Sequence, residues 1–509
     1  MSTWISVLAA MIGSFMAILN IQITNASLLN IEGGIGTGVD NGSWISTSYL
    51  IGEIIVIPLT DYLSRVFSFR LYMLASAVAF AIFSVACAFT HDLASMIAMR
   101  GLQGFAGGVL IPMAFTLVLT KLPKAQQPIG LAIFALSVTF APAIGPTIGG
   151  YLTETYGWQT IFFVNVLPTI VMVTALALTL EKTPMRLGLL KEGDWGGIVT
   201  MAIGLSALQT ILEEGNKDDW FASQFILRLA GVALISLATF VWIELTVEKP
   251  LIRLRLLMGR NFGVGTIAMT LLGFALFGSV YILPAYLGQA QGYNAEQIGS
   301  VMAWTGLPQL ILIPLVPQLM KRFDTRYIAV IGLMIFAYSC FMNTAMSPDY
   351  AGDQLWIPNI VRAIGQAMVL TPLTSVTTGD IAPEDVAAAS GISNMLRNLG
   401  GAIGTAVLAT VITKREQFHS NIIGQSVTLG REEVHSRVSQ LTEYFIAHGV
   451  PDPSAARAQS LIALGKAVKH QALVMAFSDT FAVLGFVLAL AAAAVMLTRK
   501  VTSRGAPAH

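Results

Sequence analysis

Fourteen stretches of roughly twenty apolar residues recur along this 509-residue chain, each long enough for a helix to cross about 30 Å of hydrocarbon. They lie near 5–29, 44–63, 71–90, 94–119, 129–152, 158–180, 196–212, 224–245, 262–288, 296–319, 327–346, 355–378, 388–412 and 472–497. Such a pattern specifies an all-α integral membrane protein, because backbone groups removed from water must bond within their own helix. Composition agrees, with 55% of residues hydrophobic and 11% charged. The 29 Lys and Arg nearly cancel 28 Asp and Glu, so the basic excess that nucleic-acid binding requires is missing. Cys87 and Cys340 sit singly inside apolar runs and read as packing residues. The first run has no charged flank or small-residue cleavage site and reads as a retained helix.

Cationic loops tend to stay on the cytoplasmic side. With both termini inside, the inner segments hold 17 of the 29 Lys and Arg, Lys249 and Arg504 among them, whereas the short outer loops hold only Lys217. The polar segment 413–471 adds seven on the outside, where long segments largely escape the rule. Val434, Val438, Leu441 and Phe445 within it are spaced for an amphipathic helix, suiting a flap over the exit, a docking face or a solvated spacer.

The chain repeats itself. Ile57-Pro58-Leu59 recurs as Ile313-Pro314-Leu315, and at the same offset of 256 Arg65 meets Lys321 and Arg70 meets Arg326. Arg100, Gln103-Gly104 and Pro112 resemble Arg362, Gly365-Gln366 and Pro372; Pro123, Gly130 and Ala143-Ile144-Gly145 resemble Pro383, Gly391 and Ala402-Ile403-Gly404. Six helices (1–181), two inserted helices (182–258) and six more (259–509) follow as the organisation.

Arg100, Gln103, Gly104, Gly107 and Gly108 fall on one helical face, a guanidinium above a glycine strip. An arginine facing lipid costs roughly 2.5–3.5 kcal/mol, so Arg100 points inward, either as a functional charge or as a packing arginine bonded to carbonyls. Glu53 and Asp479 are the carboxylates placed well inside spans. Counting about 1.5 Å per residue puts Glu53, Arg100 and Asp479 roughly 9–14 Å below the outer edge, where one cavity would bring them together for proton exchange. Ala141 to Gly150 combines Pro142 and Pro146 with Gly145 and Gly149, the composition of a kinked helix pressed on a neighbour.

Arg100-Gly101-Leu102-Gln103-Gly104 resembles the fourth-helix motif of the major facilitator superfamily, and Gly145-Pro146 through Gly149-Gly150 resembles its fifth-helix antiporter motif. The helix count narrows the resemblance to fourteen-helix drug:proton antiporters. Trp158, Ile161-Phe162-Phe163, Asn165, Asp218 to Phe221 and Arg260-Asn261-Phe262 resemble the EmrB-like branch. That resemblance implies two six-helix bundles plus two inserted helices in a bacterial inner membrane. It also implies a membrane-fusion adaptor and an outer-membrane duct as partners. Two departures stand out. Asn20 replaces the acid usual in the first helix, ahead of the matching Asn25, and Ser68 replaces a glycine in the loop that keeps Arg65 and Arg70 as a gating motif.

The expected activity is export of hydrophobic or amphipathic small molecules in exchange for protons, driven by the proton gradient without a cofactor. Glu53, Asp479 and Arg100 are the coupling candidates. Asn20, Gln22, Asn25, Gln103, Tyr281, Trp304, Arg362 and Arg397 are candidates for the substrate cavity, with Phe277 and Met302 beside them. An ATP-driven pump lacks its phosphate loop, since Gly465-Lys466 stands alone, and a membrane enzyme lacks clustered His, Asp or Ser groups because the six histidines avoid the spans, which also leaves no metal signature. A dedicated exporter of one metabolite, siderophore or fatty acid is the alternative.

Overall fold

Helix-favouring apolar sequence with turn residues at its breaks produces an all-helical chain. The computed structural model describes residues 2–247, 250–428 and 430–500 and contains no strand among them. Lys249 and Arg504, counted above as inner cations, lie outside the described residues.

One group comprises α1 (Ser2–Ala26), α2 (Leu28–Ile35), α3 (Val39–Phe67), α4 (Phe69–Ala88), α5 (Leu93–Gly107), α6 (Leu110–Lys121), α7 (Gln127–Tyr156), α8 (Thr160–Phe163) and α9 (Val166–Thr179). The pair α10 (Trp195–Glu214) and α11 (Gln224–Thr246) follows. The last group holds α12 (Arg260–Gln289), α13 (Ala295–Leu312), α14 (Val316–Arg322), α15 (Thr325–Phe341), α16 (Gly352–Ala367), α17 (Leu370–Thr378), α18 (Val386–Ser426), α19 (Glu432–Ala447) and α20 (Pro453–Met496). Caps and turns set several boundaries. The Asp92 carboxylate accepts from Ser95 N at 2.9 Å, Asn294 and Gln297 form a reciprocal capping box, and Gly157 ends α7 at φ +91°.

Every one of the fourteen apolar stretches carries helix. By length and composition, eleven described spans are apolar enough to cross a bilayer, and the bent α7 makes a twelfth. Thr325–Phe341 is a shorter apolar helix. The long α3, which holds Glu53, Asp61 and Arg65, lies outside both sets. The sequence repeat has a structural counterpart: α5 breaks into α6 after Gly107, and α16 breaks into α17 after Ala367.

Within the first group α1 packs on α6, α7 and α9, and α3 on α5; within the last, α12 packs on α18 and α20, and α15 on α16 and α20. The groups meet along α3 with α18 and along α7 with α13 and α17. Gly299 of α13 lies against Thr147 of α7, while Ile57, Ala389 and Ile392 share an apolar cluster with Met201 and Leu205 of α10. The inserted pair therefore lies over the seam between α3 and α18 and touches both.

The segment 413–471 is a correction to the sequence reading. It is not a loop carrying one helix between two spans, because α18 and α20 run on through it for 41 and 44 residues, about 62 and 66 Å, twice the bilayer core. Hydropathy marks where the apolar segment ends, whereas the alanine-rich stretch after Pro453 keeps the helix going. The helix anticipated around Val434 to Phe445 is α19; it buries Val438 and joins α20 through Thr442 and Ser460 at 2.9 Å.

Candidate transport site

Small residues bring α3 and α5 close enough for their polar groups to meet. A methyl at Gly108 would sit 2.9 Å from Glu53 Cα, and Gly104 lies against the Tyr49 backbone. This contact seats Arg100, which is 1% exposed. Its Nη1 donates to Asn20 Oδ1 at 2.6 Å and to Gln103 Oε1 at 2.7 Å, and its Nε to the Ile45 carbonyl at 3.3 Å. The guanidinium carbon stands 4.3 Å from the Tyr49 ring centre. Neutral acceptors and an aromatic face thus hold the cation. Asn20, Gln103 and Arg100 form one network between α1, α3 and α5, and Asn20 occupies the place where an acid was anticipated.

One helical turn beyond Tyr49, Glu53 is buried at the seam between the two groups. Its Oε1 accepts from Asn398 Nδ2 of α18 at 3.0 Å, and its Oε2 has no partner among the described residues. Arg397 and Arg100 are its charged neighbours. Arg397 is itself buried with its Nε unpaired. Asn398 was missed in the sequence because a lone Asn inside an apolar run has no spacing signature.

The helix carrying Gly145, Pro146, Gly149 and Gly150 bends by 45° between Gln127–Pro142 and Ile144–Tyr156. Proline removes a backbone donor at the bend, and glycines form the contact beyond it. Gly145 lies against Gln22 and Gly149 against Ile23 of α1. Pro146 and Gly150 are buried. A parallel seam joins α12 and α18, where Gly400 abuts Thr270 and Gly404 abuts Phe274.

Between the groups lies a cavity of about 30 Å³, bordered by Gln22, Leu276, Phe277, Thr305, Arg362 and Gln366 among others. Of the cavity candidates, Gln22 and Arg362 border it, as does Phe277. Tyr281 and Trp304 do not: both are exposed, and Trp304 faces Trp356 at 6.5 Å between ring centres. Met302 is fully buried away from it. Asn25 accepts from Ser46 at 2.6 Å on an exposed surface, and Arg397 belongs with Glu53.

Asp479 does not share a chamber with Glu53 and Arg100. Arg415 Nε reaches its Oδ2 at 2.6 Å and His419 Nε2 lies 2.7 Å from it, so it joins α20 to α18 instead. Depth counting misplaced it: along the continuous α18, Asn398 beside Glu53 lies 17 and 21 residues from the Arg415 and His419 that hold Asp479, about 25 and 31 Å, so the two carboxylates stand at different levels. Nor is Glu53 the only buried acid, whereas Asp479 is partly exposed. Glu214, at the end of α10, accepts from Ser43 at 2.9 Å and Thr47 at 3.0 Å of α3. Its neighbour Glu213 accepts from Gln209 at 3.1 Å. Buried Glu244 accepts from Ile252 N at 3.0 Å. Each lies at or beyond the edge of an apolar run, where sequence alone suggests solvent. Among the described residues no cluster of His, Cys, Asp or Glu is placed to hold a metal.

The loop expected to gate pairs Arg65 with Asp61 at 3.0 Å, while Arg70 donates to the Ala177 carbonyl near the end of α9 at 2.6 Å. Between them Ser68 adopts φ +67°, a conformation that suits glycine.

A sequence profile described as the Major Facilitator Superfamily matches residues 10–405. The colistin resistance protein EmrB of Acinetobacter baumannii is 32% identical over 96% of this chain and 94% of its own length. The multidrug export protein EmrB of Escherichia coli K12 is 33% identical over 86% of this chain and 85% of its own. The fatty acid resistance protein FarB of Neisseria gonorrhoeae is 30% identical over 92% and 90%. Among solved structures, the proton:xylose symporter XylE superposes with a TM-score of 0.58 at 15% identity over 96% of this chain and 94% of that one, which shows the fold. With eleven or twelve apolar helices among the described residues in two packed groups, glycine seams at equivalent places and relatives alike along nearly their whole length, this multi-pass membrane chain belongs to the major facilitator superfamily, beside the EmrB export proteins.

Proposed function

We propose that this protein is a secondary transporter, not an enzyme, that exports hydrophobic or amphipathic small molecules from the cytoplasm in exchange for protons. The observation that carries this reading is Glu53, a buried carboxylate whose hydrogen bond crosses from α3 to Asn398 of α18. An ionised Glu53 attracts Arg397 across the seam and tightens it; a protonated Glu53 loses that attraction and lets the groups part. One proton thereby biases alternating access, with no cofactor beyond the gradient. Rocking would occur between residues 1–181 and 259–509, with 182–258 riding on the seam. Fourteen crossings, cytoplasmic termini and a bacterial inner-membrane location complete the reading, supported by the cation distribution and the EmrB resemblance. The protrusion built from α18, α19 and α20 is the surface offered to a membrane-fusion adaptor that leads to an outer-membrane duct.

FarB, named for fatty acid resistance, supports a second reading in which one amphipathic metabolite is the dedicated substrate. Proteoliposomes loaded with a dye substrate and given a pH gradient test the main proposal. Glu53→Gln should abolish gradient-driven flux while keeping the melting temperature; undiminished flux removes Glu53 from coupling. Broad dye and drug flux favours multidrug export, and flux of a single compound favours the dedicated carrier.

A further inference from the structure

Arg362 is as deeply placed as Arg100 but is left without comparable partners. It is 5% exposed, and its only hydrogen bond among the described residues is a long one, 3.4 Å from Nη1 to the Ser279 carbonyl. Its Nε has no partner, and no carboxylate pairs with it among the described residues. A buried cation without a counter-ion is unfavourable and persists where function needs it. The guanidinium borders the cavity between the two groups, and no acid lines that cavity. Gln366 stands one turn away in the lining; its Oε1 accepts from Gln309 at 2.8 Å, which leaves its amide nitrogen as a second donor. Leu276, Phe277 and Val280 of α12 supply an apolar wall beside this polar end.

We propose that this cavity is a binding site for the anionic head of an amphipathic acid, with Arg362 holding the carboxylate and the α12 wall holding its tail. The assignment rests on the transport reading and narrows its substrate class. A guanidinium presents a planar fork that a carboxylate fills with two parallel hydrogen bonds, which matches the donors left unused here. A cationic amphiphile finds no counter-charge in the lining. The cavity admits only a water-sized group in this conformation, so loading requires α7 to move away from α12 and α13.

Full-length protein in phosphatidylcholine nanodiscs tests this with three twelve-carbon probes: dodecanoate, dodecanamide and dodecyltrimethylammonium. Wild type should bind dodecanoate most tightly. Arg362→Gln should weaken dodecanoate by about 10- to 100-fold and dodecanamide by less than about threefold, with Arg362→Lys in between. Without ligand, Arg362→Gln should melt at or above the wild-type temperature, since an unpaired buried charge has been removed. Unchanged dodecanoate affinity, tighter wild-type binding of the cation, or a fall of several degrees in ligand-free melting overturns the assignment. Phosphatidylglycerol that displaces dodecanoate from wild type but not from Arg362→Gln supports the anion site and identifies a bilayer lipid as its occupant. Failure here is separable from failure of the transport reading: flux of neutral and cationic probes that depends on Glu53 survives loss of the Arg362 effect, and absence of all flux leaves the binding comparison intact.

Discussion

Arg100 and Arg362 stand at corresponding points of a duplicated sequence, and the structure treats them differently. Arg100 rests on Asn20, Gln103, the Ile45 carbonyl and the face of Tyr49, and so pins α1, α3 and α5 together. Arg362 meets one distant carbonyl and an open cavity. The same residue on the same repeat thus serves as a packing element in one half and as an unfilled donor in the other. Duplication supplies the charge at both sites, and the surrounding helices decide its use. The loops after Phe67 and Arg322 diverge in backbone: Ser68 caps α4 from φ +67°, accepting from Leu71 N at 3.4 Å, whereas Asp324, 256 positions later, caps α15 from φ −61°.

The largest expected effect follows from Arg100→Gln, which strips three hydrogen bonds, leaving Asn20 Oδ1 buried without a donor and Gln103 Oε1 with only the Cys87 thiol at 3.8 Å. Loss of about 3 kcal/mol and of several degrees in melting temperature is expected, with Lys failing to rescue because its point charge cannot span the same acceptors. Unchanged melting would end the contrast with Arg362. Next, Asn20→Asp places an anion 2.6 Å from that guanidinium and should stabilise by about 1 kcal/mol, yet destabilise by about 2 kcal/mol when combined with Arg100→Gln. A double-mutant cycle on melting reads this coupling, and additivity would show that the pair does not interact.

A smaller gain, about 1 kcal/mol, is expected from Ser68→Gly, since the positive φ disfavours any side chain there. The equivalent change Asp324→Gly should destabilise, and equal signs in the two loops would erase their difference. The smallest effect concerns pH. Arg326, which bonds the Asp324 carboxylate at 3.1 Å, holds that group below the usual carboxylate range. Its stabilisation is complete above the ordinary carboxylate pKa of about 4 and fades as pH falls through the lowered folded value. Asp324→Asn should therefore melt slightly lower than wild type at neutral pH, by about 0.5 kcal/mol, and converge with it in acid. A gap that persists at low pH would assign the effect to capping alone.

Much of this was legible in the order of residues. Apolar runs of about twenty located every described helix long and apolar enough to cross a bilayer, and Pro142 with Gly145 marked the bend and contact of α7. Glu53 stood out because a carboxylate inside such a run is rare. The partners escaped detection: Asn398 lies 345 residues from Glu53, and Glu214 reaches Ser43 across 171. Asp479 was assigned both the wrong depth and the wrong neighbours, since hydropathy does not reveal that α18 and α20 run on as helix past their apolar runs and pair Asp479 with Arg415 and His419, far along α18 from Asn398.

The linear chain alone determined that this protein lives in a bilayer, is duplicated, and carries a few ionisable groups that lipid does not tolerate facing it. Those properties follow from local hydropathy and spacing, which act over one or two helical turns. Folding in three dimensions decided which arginine is satisfied and which is left open, that Glu53 bridges the two groups, and that α18 and α20 extend far beyond the hydrocarbon. Such outcomes depend on how each helix is rotated and what packs beside it, and close backbone approach at the glycine seams sets both.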